Sequence, residues 1–345
     1  MTDKASYIKR NKLKTAFGPQ RTFAPIYTGG KVALTQDGLH AYTTLDEDIL
    51  LTDTTSGQEL GRVQGDSPVS TFALTPQLST ETGTLIVARK SLQLQWYSVP
   101  FADSNASASK TVHRAHDAPI ITMSADPSSH IYATGAADGI VKVWSIEGGF
   151  CTHVFKGHGG VISAFAWDLS IPNDARLVSG ADDCRIRVWN LKNRKCEAIL
   201  EGHVSVVRGL AVTEDGSTLV SAGRDQVVNI WPLKRNPAKT SGHQPKNTFP
   251  VLETVEACGL LEVPVANASS KGKGKQREET HTAIFTAGDK GQLRLWSLAT
   301  GHLLASEHNT SAKPVEIVDA LYVISSQLLC LSYKHFPAGS RLHRR

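Results

Sequence analysis

The chain has 345 residues, 40% of them apolar, which is enough to enclose a large core and too many for a mainly disordered chain. The formal charge of +5 permits an anionic partner without demanding one. Five cysteines (Cys151, Cys184, Cys196, Cys258, Cys330) at irregular spacings, with no CxxC pair, exclude a zinc ribbon and a disulfide framework and read as reduced thiols of the cytosol or nucleus.

Residues 1–21 form a basic arm, with Lys4, Lys9, Arg10, Lys12, Lys14 and Arg21 against the single acid Asp3. The arm lacks the 7–15-residue apolar stretch of a signal peptide, and no run of about 18 apolar residues marks a membrane span. Residues 29–64 hold four strand-like pieces punctuated by "QDG" and "TTSG" turns, with Asp53 behind "ILLT". "SPVSTFALTP" through "SLQLQWYSVP" repeats this grammar, and Trp96 reads as its third-strand tryptophan.

Three clearer copies follow: "YATGAADGIVKVWS", "LVSGADDCRIRVWN" and "LVSAGRDQVVNIWP". Each is a short apolar strand ending in Ser or Thr, a Gly/Asp turn, and an alternating strand that ends in tryptophan. A period-two strand precedes each copy and a fourth strand follows it. A sixth copy ends at Trp296, with Lys290 where an aspartate is expected and Asp289 beside it. Beyond it, residues 315–336 supply two or three strands. Four strands in 40–45 residues is the period of a β-propeller blade. The count predicts an all-β propeller of seven blades, the last either incomplete or completed by an N-terminal strand from residues 15–27. The propeller is expected over 22–336, with mobile insertions at 232–250 and 267–281 and a basic tail at 337–345.

These repeats resemble the WD-repeat family. The carrying residues are the junctions Ala115–His116, Gly157–His158 and Gly202–His203, the turn aspartates, and the tryptophans six residues after them. No copy has the literal Trp-Asp pair: Ser145, Asn190, Pro232 and Ser297 follow the tryptophans. The resemblance implies one buried hydrogen-bonded set per blade: His116/Thr134/Asp138/Trp144, His158/Ser179/Asp183/Trp189 and His203/Ser221/Asp225/Trp231. A Ser–His–Asp grouping invites a hydrolase reading, but a triad occurs once, beside an oxyanion hole and a cleft. A set recurring three times in register is architecture, so no catalytic, cofactor or metal residue is assigned. His281, His302 and His308 are scattered without metal spacing, and nothing marks Cys184 as a nucleophile. Trp167 reads as core. Neither "GKGKGK" nor "TGGKVAL" has the spacing of a phosphate loop.

Within that family the chain is similar to the N-terminal propeller of the UTP-B subunits of the small-subunit processome. "PIYTGGKVALTQDGLHAYTTLDEDILLTDTTSG" and "TFPVLETVEACGLL" before "IFTAGDKGQLRLWSLATG" carry the likeness. It implies a nuclear, nucleolar scaffold without enzymatic activity, acting in pre-ribosomal RNA processing and small-subunit assembly. The implied partners are other UTP-B WD-repeat proteins, processome subunits, pre-ribosomal RNA and a box C/D small nucleolar RNP, with no membrane, cofactor or small-molecule substrate. Lys9, Arg10, Lys12, Lys14, Lys271, Lys273 and Lys275 are candidate RNA contacts, because flexible cationic segments neutralise phosphates. The lysines of the insertion have no interleaved aromatics, so base stacking is not expected. The alternatives are another WD-repeat adaptor, such as a ubiquitin-ligase substrate receptor or a chromatin reader, and an enzyme built on a propeller, which would need an unrepeated cluster of acids or histidines.

Overall fold

A computed structural model describes residues 18–22, 31–75, 83–100, 106–233, 244–264, 280–308, 317–323, 328–333 and 341–344. The described residues form seven four-stranded antiparallel sheets and contain no helix. The first strand, β1 (Gly18–Thr22), belongs to the last sheet. Blade one is β2 (Ala33–Leu34), β3 (His40–Leu45), β4 (Asp48–Asp53) and β5 (Glu59–Val63). Blade two is β6 (Val69–Leu74), β7 (Gly83–Arg89), β8 (Leu94–Val99) and β9 (Lys110–Val112). Blade three is β10 (Ile120–Ala125), β11 (Ile131–Ala136), β12 (Val141–Ser145) and β13 (Cys151–Phe155). Blade four is β14 (Ile162–Asp168), β15 (Arg176–Ala181), β16 (Arg185–Asn190) and β17 (Lys195–Glu201). Blade five is β18 (Val207–Val212), β19 (Thr218–Gly223), β20 (Val227–Pro232) and β21 (Asn247–Pro250). Blade six is β22 (Val255–Pro264), β23 (Thr280–Gly288), β24 (Gln292–Ser297) and β25 (Leu303–His308). Blade seven is β26 (Ile317–Val323), β27 (Leu328–Tyr333), β28 (Arg341–Arg344) and, outermost, β1.

The first strands of successive blades face one another around an axis, and the circle closes where β26 meets β2. In six of the seven blades the first ladder slips by one residue at its start, as between Ile162 and Ala164 or Val207 and Gly209. Such bulges raise the local twist, and a radial sheet that turns from the axis to the rim needs strong twist.

The core is divided among the seams between blades. Trp189 packs backwards onto Val141, Val143 and Phe155 of blade three, and its ring lies 4.9 Å from that of Phe155. Trp231 packs back onto blade four and Trp296 onto blade five. Alternation along the third strand sets this arrangement: one face of each strand meets the blade before it, the other the blade after.

Two segments differ from the sequence expectations. Arg341–Arg344, placed in a basic tail, is the third strand of blade seven: Arg344 pairs with Leu328 on one side and Gly18 on the other. Asn247–Pro250, placed in an insertion, is the fourth strand of blade five, while the N-terminal strand expected from residues 15–27 is β1, which completes blade seven and takes Gly18–Arg21 out of the basic arm. Short strands with basic or proline residues carry no apolar alternation, and partner ladders specify them instead.

Trp96 also sits elsewhere than its spacing suggests. Tyr97 pairs with Leu85 as Trp144 pairs with Tyr132, whereas Trp96 pairs with Ile86. A one-residue offset sends a strand residue to the opposite face. Trp96 therefore points forward into the seam with blade three, its ring edge-on to Tyr132 at 6.0 Å, and Tyr97 packs back onto blade one in the tryptophan's usual place.

Candidate functional site

The buried polar groups on the blade junctions are the densest chemistry in the ring. In blade four the Trp189 indole N–H donates to Ser179 Oγ at 2.8 Å, and Ser179 Oγ lies 2.8 Å from His158 Nε2. His158 Nδ1 lies 3.1 Å from both oxygens of Asp183. Donors and acceptors match in one way only: indole to hydroxyl, hydroxyl to Nε2, Nδ1–H to carboxylate, with a neutral imidazole. Burial, the largest effect, pushes the His158 pKa below its ordinary value despite the carboxylate beside it. Asp183 also accepts from the Gly159 N–H at 2.9 Å and the Arg185 N–H at 3.1 Å, tying the junction to the turn.

Blade five repeats the arrangement. Trp231 donates to Ser221 Oγ at 2.8 Å, Ser221 Oγ lies 2.8 Å from His203 Nε2, and His203 Nδ1 lies 2.8 Å from Asp225. The Val204 N–H donates to the same aspartate at 3.0 Å.

Blade three holds half of its set. Trp144 donates to Thr134 Oγ1 at 2.9 Å, and Thr134 Oγ1 lies 2.7 Å from His116 Nε2. Asp138 does not reach the imidazole: it accepts from the Ile140 N–H of its own turn at 3.0 Å, and His116 Nδ1 is buried without a partner. The residue after His116 is Asp117, where blades four and five offer the N–H of Gly159 and Val204. Asp117 is exposed and pairs with Arg114 at 3.0 Å. Burial, aided by Lys142, pushes the His116 pKa down to about 4.

Two blades fasten the junction with other groups, which sequence spacing did not reveal. In blade two the fully buried Arg89 donates from Nη1 to the carbonyls of Glu47 at 2.9 Å and Ser67 at 2.7 Å and from Nε to Gln95. Any side chain at Gly65 would collide with that guanidinium and with the Glu47 carbonyl. In blade six Trp296 still donates to Thr286 at 2.9 Å, but Lys290 stands at the aspartate's position and donates to the Leu252 carbonyl at 2.6 Å. Asp289, one residue earlier, accepts from the Thr254 N–H at 3.2 Å, and the buried Glu253 pairs with Arg294 Nη1 at 2.8 Å. Burial pushes the Glu253 carboxyl up to about 7. A lone Arg ending the apolar run "LIVAR" and a Glu within "VLETVEA" were the available signals.

Three of the four missing Trp-Asp aspartates are replaced in kind. Ser145 Oγ accepts from the Gly148 N–H at 3.0 Å, Asn190 Oδ1 from Asn193 at 3.0 Å and Ser297 Oγ from Thr300 at 3.3 Å. Asp53 does the same in blade one, accepting from the Thr55 N–H at 2.6 Å, and the Thr55 and Ser56 bonds lower its pKa to about 2. Each caps the turn into the fourth strand, a task that serine and asparagine share with aspartate.

The axis holds a cavity of about 320 Å³ lined by the first strands. Its wall is hydroxyl-rich (Ser70, Thr71, Thr122, Ser124) and carries Arg208 and Glu256. Glu256 accepts from Arg208 at 2.8 Å and from Arg224 at 2.6 Å. Trp167 borders this region and donates to Ser124 Oγ at 3.1 Å, so it is an inter-blade tie. Cys258 is half-buried in the cavity wall, where desolvation pushes its thiol up to about 12, and Cys184 sits at a turn position with φ 62° and a raised pKa; both are poor nucleophiles. Among the described residues no three His, Cys, Asp or Glu side chains cluster as metal ligands. The candidate RNA contacts Lys9, Arg10, Lys12, Lys14, Lys271, Lys273 and Lys275 lie outside the described residues.

The arrangement can hold sheets together and present surfaces. In blades four and five the imidazoles, hydroxyls and carboxylates of the sets bond to one another, whereas in blade three His116 Nδ1 is left without a partner.

The family model "WD domain, G-beta repeat" matches residues 108–145, 149–190 and 194–232, each running from the outer strand of one blade through the third strand of the next, β9 to β20 in all. Transducin beta-like protein 3 of Bos taurus is 33% identical over 92% of this chain and 37% of its own length. The Homo sapiens protein of the same name is 35% identical over 86% of this chain and 34% of its own length. U3 small nucleolar RNA-associated protein 13 of Saccharomyces cerevisiae is 36% identical over 62% of this chain and 25% of its own length. The chain thus spans between a quarter and little more than a third of the length of these relatives. Seven radial sheets, the repeated polar sets and these matches make the chain a member of the WD-repeat family, a β-propeller similar to transducin beta-like protein 3.

Proposed function

We propose that the chain serves ribosome biogenesis as a non-catalytic scaffold of the nucleolar small-subunit processome. In this reading it helps a box C/D small nucleolar RNP and the pre-ribosomal RNA assemble with other UTP-B WD-repeat proteins. The observation that carries it is the match to a yeast protein named for association with U3 small nucleolar RNA, across 62% of this chain. The longer matches to transducin beta-like protein 3 fit the same setting. The ring supports a non-enzymatic role, because its imidazoles and carboxylates are engaged in junctions rather than aimed at a substrate. Fold alone does not give function, and the proposed partners rest on the relatives rather than on the propeller.

The test is affinity purification of the tagged chain from nuclear extract, followed by identification of bound RNA and protein. Pre-ribosomal RNA, a box C/D small nucleolar RNA and processome subunits are expected. Recovery of ubiquitin-ligase subunits or histones without pre-ribosomal RNA would refute the proposal.

A further inference from the structure

The seven outer strands are not protected alike. An outermost strand leaves a row of unpaired backbone N–H and C=O groups, and proteins guard such edges with charges or proline. β1 carries Pro19 and Arg21, β5 carries Glu59 and Arg62, β9 carries Lys110 and β17 carries Lys195, Glu197 and Glu201. β21 carries Pro250 and β25 carries Glu307. The outer strand of blade three, β13 (Cys-Thr-His-Val-Phe), has no acid, no lysine or arginine and no proline.

The side chains of β13 are sorted. Phe155 is buried in the seam with blade four. Thr152 Oγ1 donates to the Val143 carbonyl at 3.0 Å, and His153 Nε2 lies 2.9 Å from the Leu191 carbonyl. Val154 is 50% exposed, and Phe150, just before the strand, is 60% exposed. Past the other end stands Lys156, exposed and in no ion pair among the described residues. Apolar side chains, a bare edge and one uncompensated cation lie in a line.

We propose that β13 is a docking edge for an extended segment of another protein, which adds a fifth strand to blade three, sets apolar side chains against Val154 and Phe150, and meets Lys156 with a carboxylate. Main-chain hydrogen bonds give such strand addition its affinity, and alternate side chains give it specificity. The strand has no cation of its own, which argues against a nucleic acid. A second copy aligned on His153 would set Lys156 against Phe150 and leave the charge unmet. The inference is independent of the proposed role in ribosome assembly.

The test uses the full chain and a blocked heptapeptide of alternating valine and threonine that begins with glutamate. Binding is followed by fluorescence anisotropy and the contact by hydrogen exchange. The expected result is saturable binding with slowed exchange confined to residues 150–156. Val154→Lys, at an exposed position, should weaken binding about tenfold while the melting temperature holds. Lys156→Glu should weaken the glutamate peptide and favour the same peptide begun with lysine; a proline at the centre of the peptide should abolish binding. Absent binding, protection elsewhere, indifference to both substitutions, or self-association of the chain through this edge would each overturn the proposal.

Discussion

Asp183 and Asp138 hold the same place in consecutive blades and differ in what they touch. Asp183 accepts from an imidazole and from two backbone N–H groups, whereas Asp138 accepts from one N–H of its own turn. Asp183→Ala leaves a buried Nδ1–H and a junction N–H unmatched and should cost about 1–3 kcal/mol. Asp138→Ala should cost under about 0.5 kcal/mol, as expected of a surface substitution. Denaturant melts of the two variants measure the difference, and equal losses would contradict the assigned bonding. His116 gives a pH dependence: its pKa falls from 6.5 in the unfolded chain to about 4 in the fold. The unfolded state takes the proton first, so this stability is held above pH 6.5 and lost as pH falls towards 4. His116→Gln should flatten the melting temperature across that window.

The seams between blades work by substitution of parts. Blade six replaces the junction imidazole with the Glu253–Arg294 pair, and the sign of its pH dependence reverses. Glu253 titrates at about 7 in the fold against an ordinary 4.5, so the folded state takes the proton first. Its contribution is full below pH 4.5 and lost as pH rises through 7. Glu253→Gln, neutral throughout, should remove that fall in the melting temperature between pH 5 and 8; an unchanged fall would place its cause elsewhere. Blade two replaces the imidazole with Arg89, and Gly65→Ala should destabilise it by about 1–3 kcal/mol, because the added Cβ displaces the guanidinium from its carbonyls. Blades three to five were legible in the sequence because His, Ser or Thr, Asp and Trp recur there at fixed steps. Arg89 and Glu253 were not, since a different residue solves the same bonding problem. Tyr97 was hidden by its neighbour: composition favours Trp96 as the repeat's tryptophan, and only the ladder register shows which of the two faces blade one. In three blades the missing Trp-Asp aspartate has a substitute, because Ser145, Asn190 and Ser297 cap the same turns.

At the scale of the whole molecule, closure joins the two ends of the chain. β1 lies outermost in blade seven, beside β28, so residues 18–22 and 341–344 complete one sheet. The sequence suggested an N-terminal strand at the seam, but not that Arg341–Arg344 would lie between it and β27: four residues with two arginines offer no alternation to read. Closure joins the seven sheets into one ring, the form of support that the proposed scaffold role calls for. Removing residues 1–22 should bare the edge of β28 and loosen blade seven against β2. Thermal unfolding of the chain with and without those residues is the direct test. A closed ring predicts one cooperative transition for the intact chain, and for the shortened chain a transition lower by on the order of 5 °C with concentration-dependent association. An unchanged transition and an unchanged monomer would contradict closure through β1.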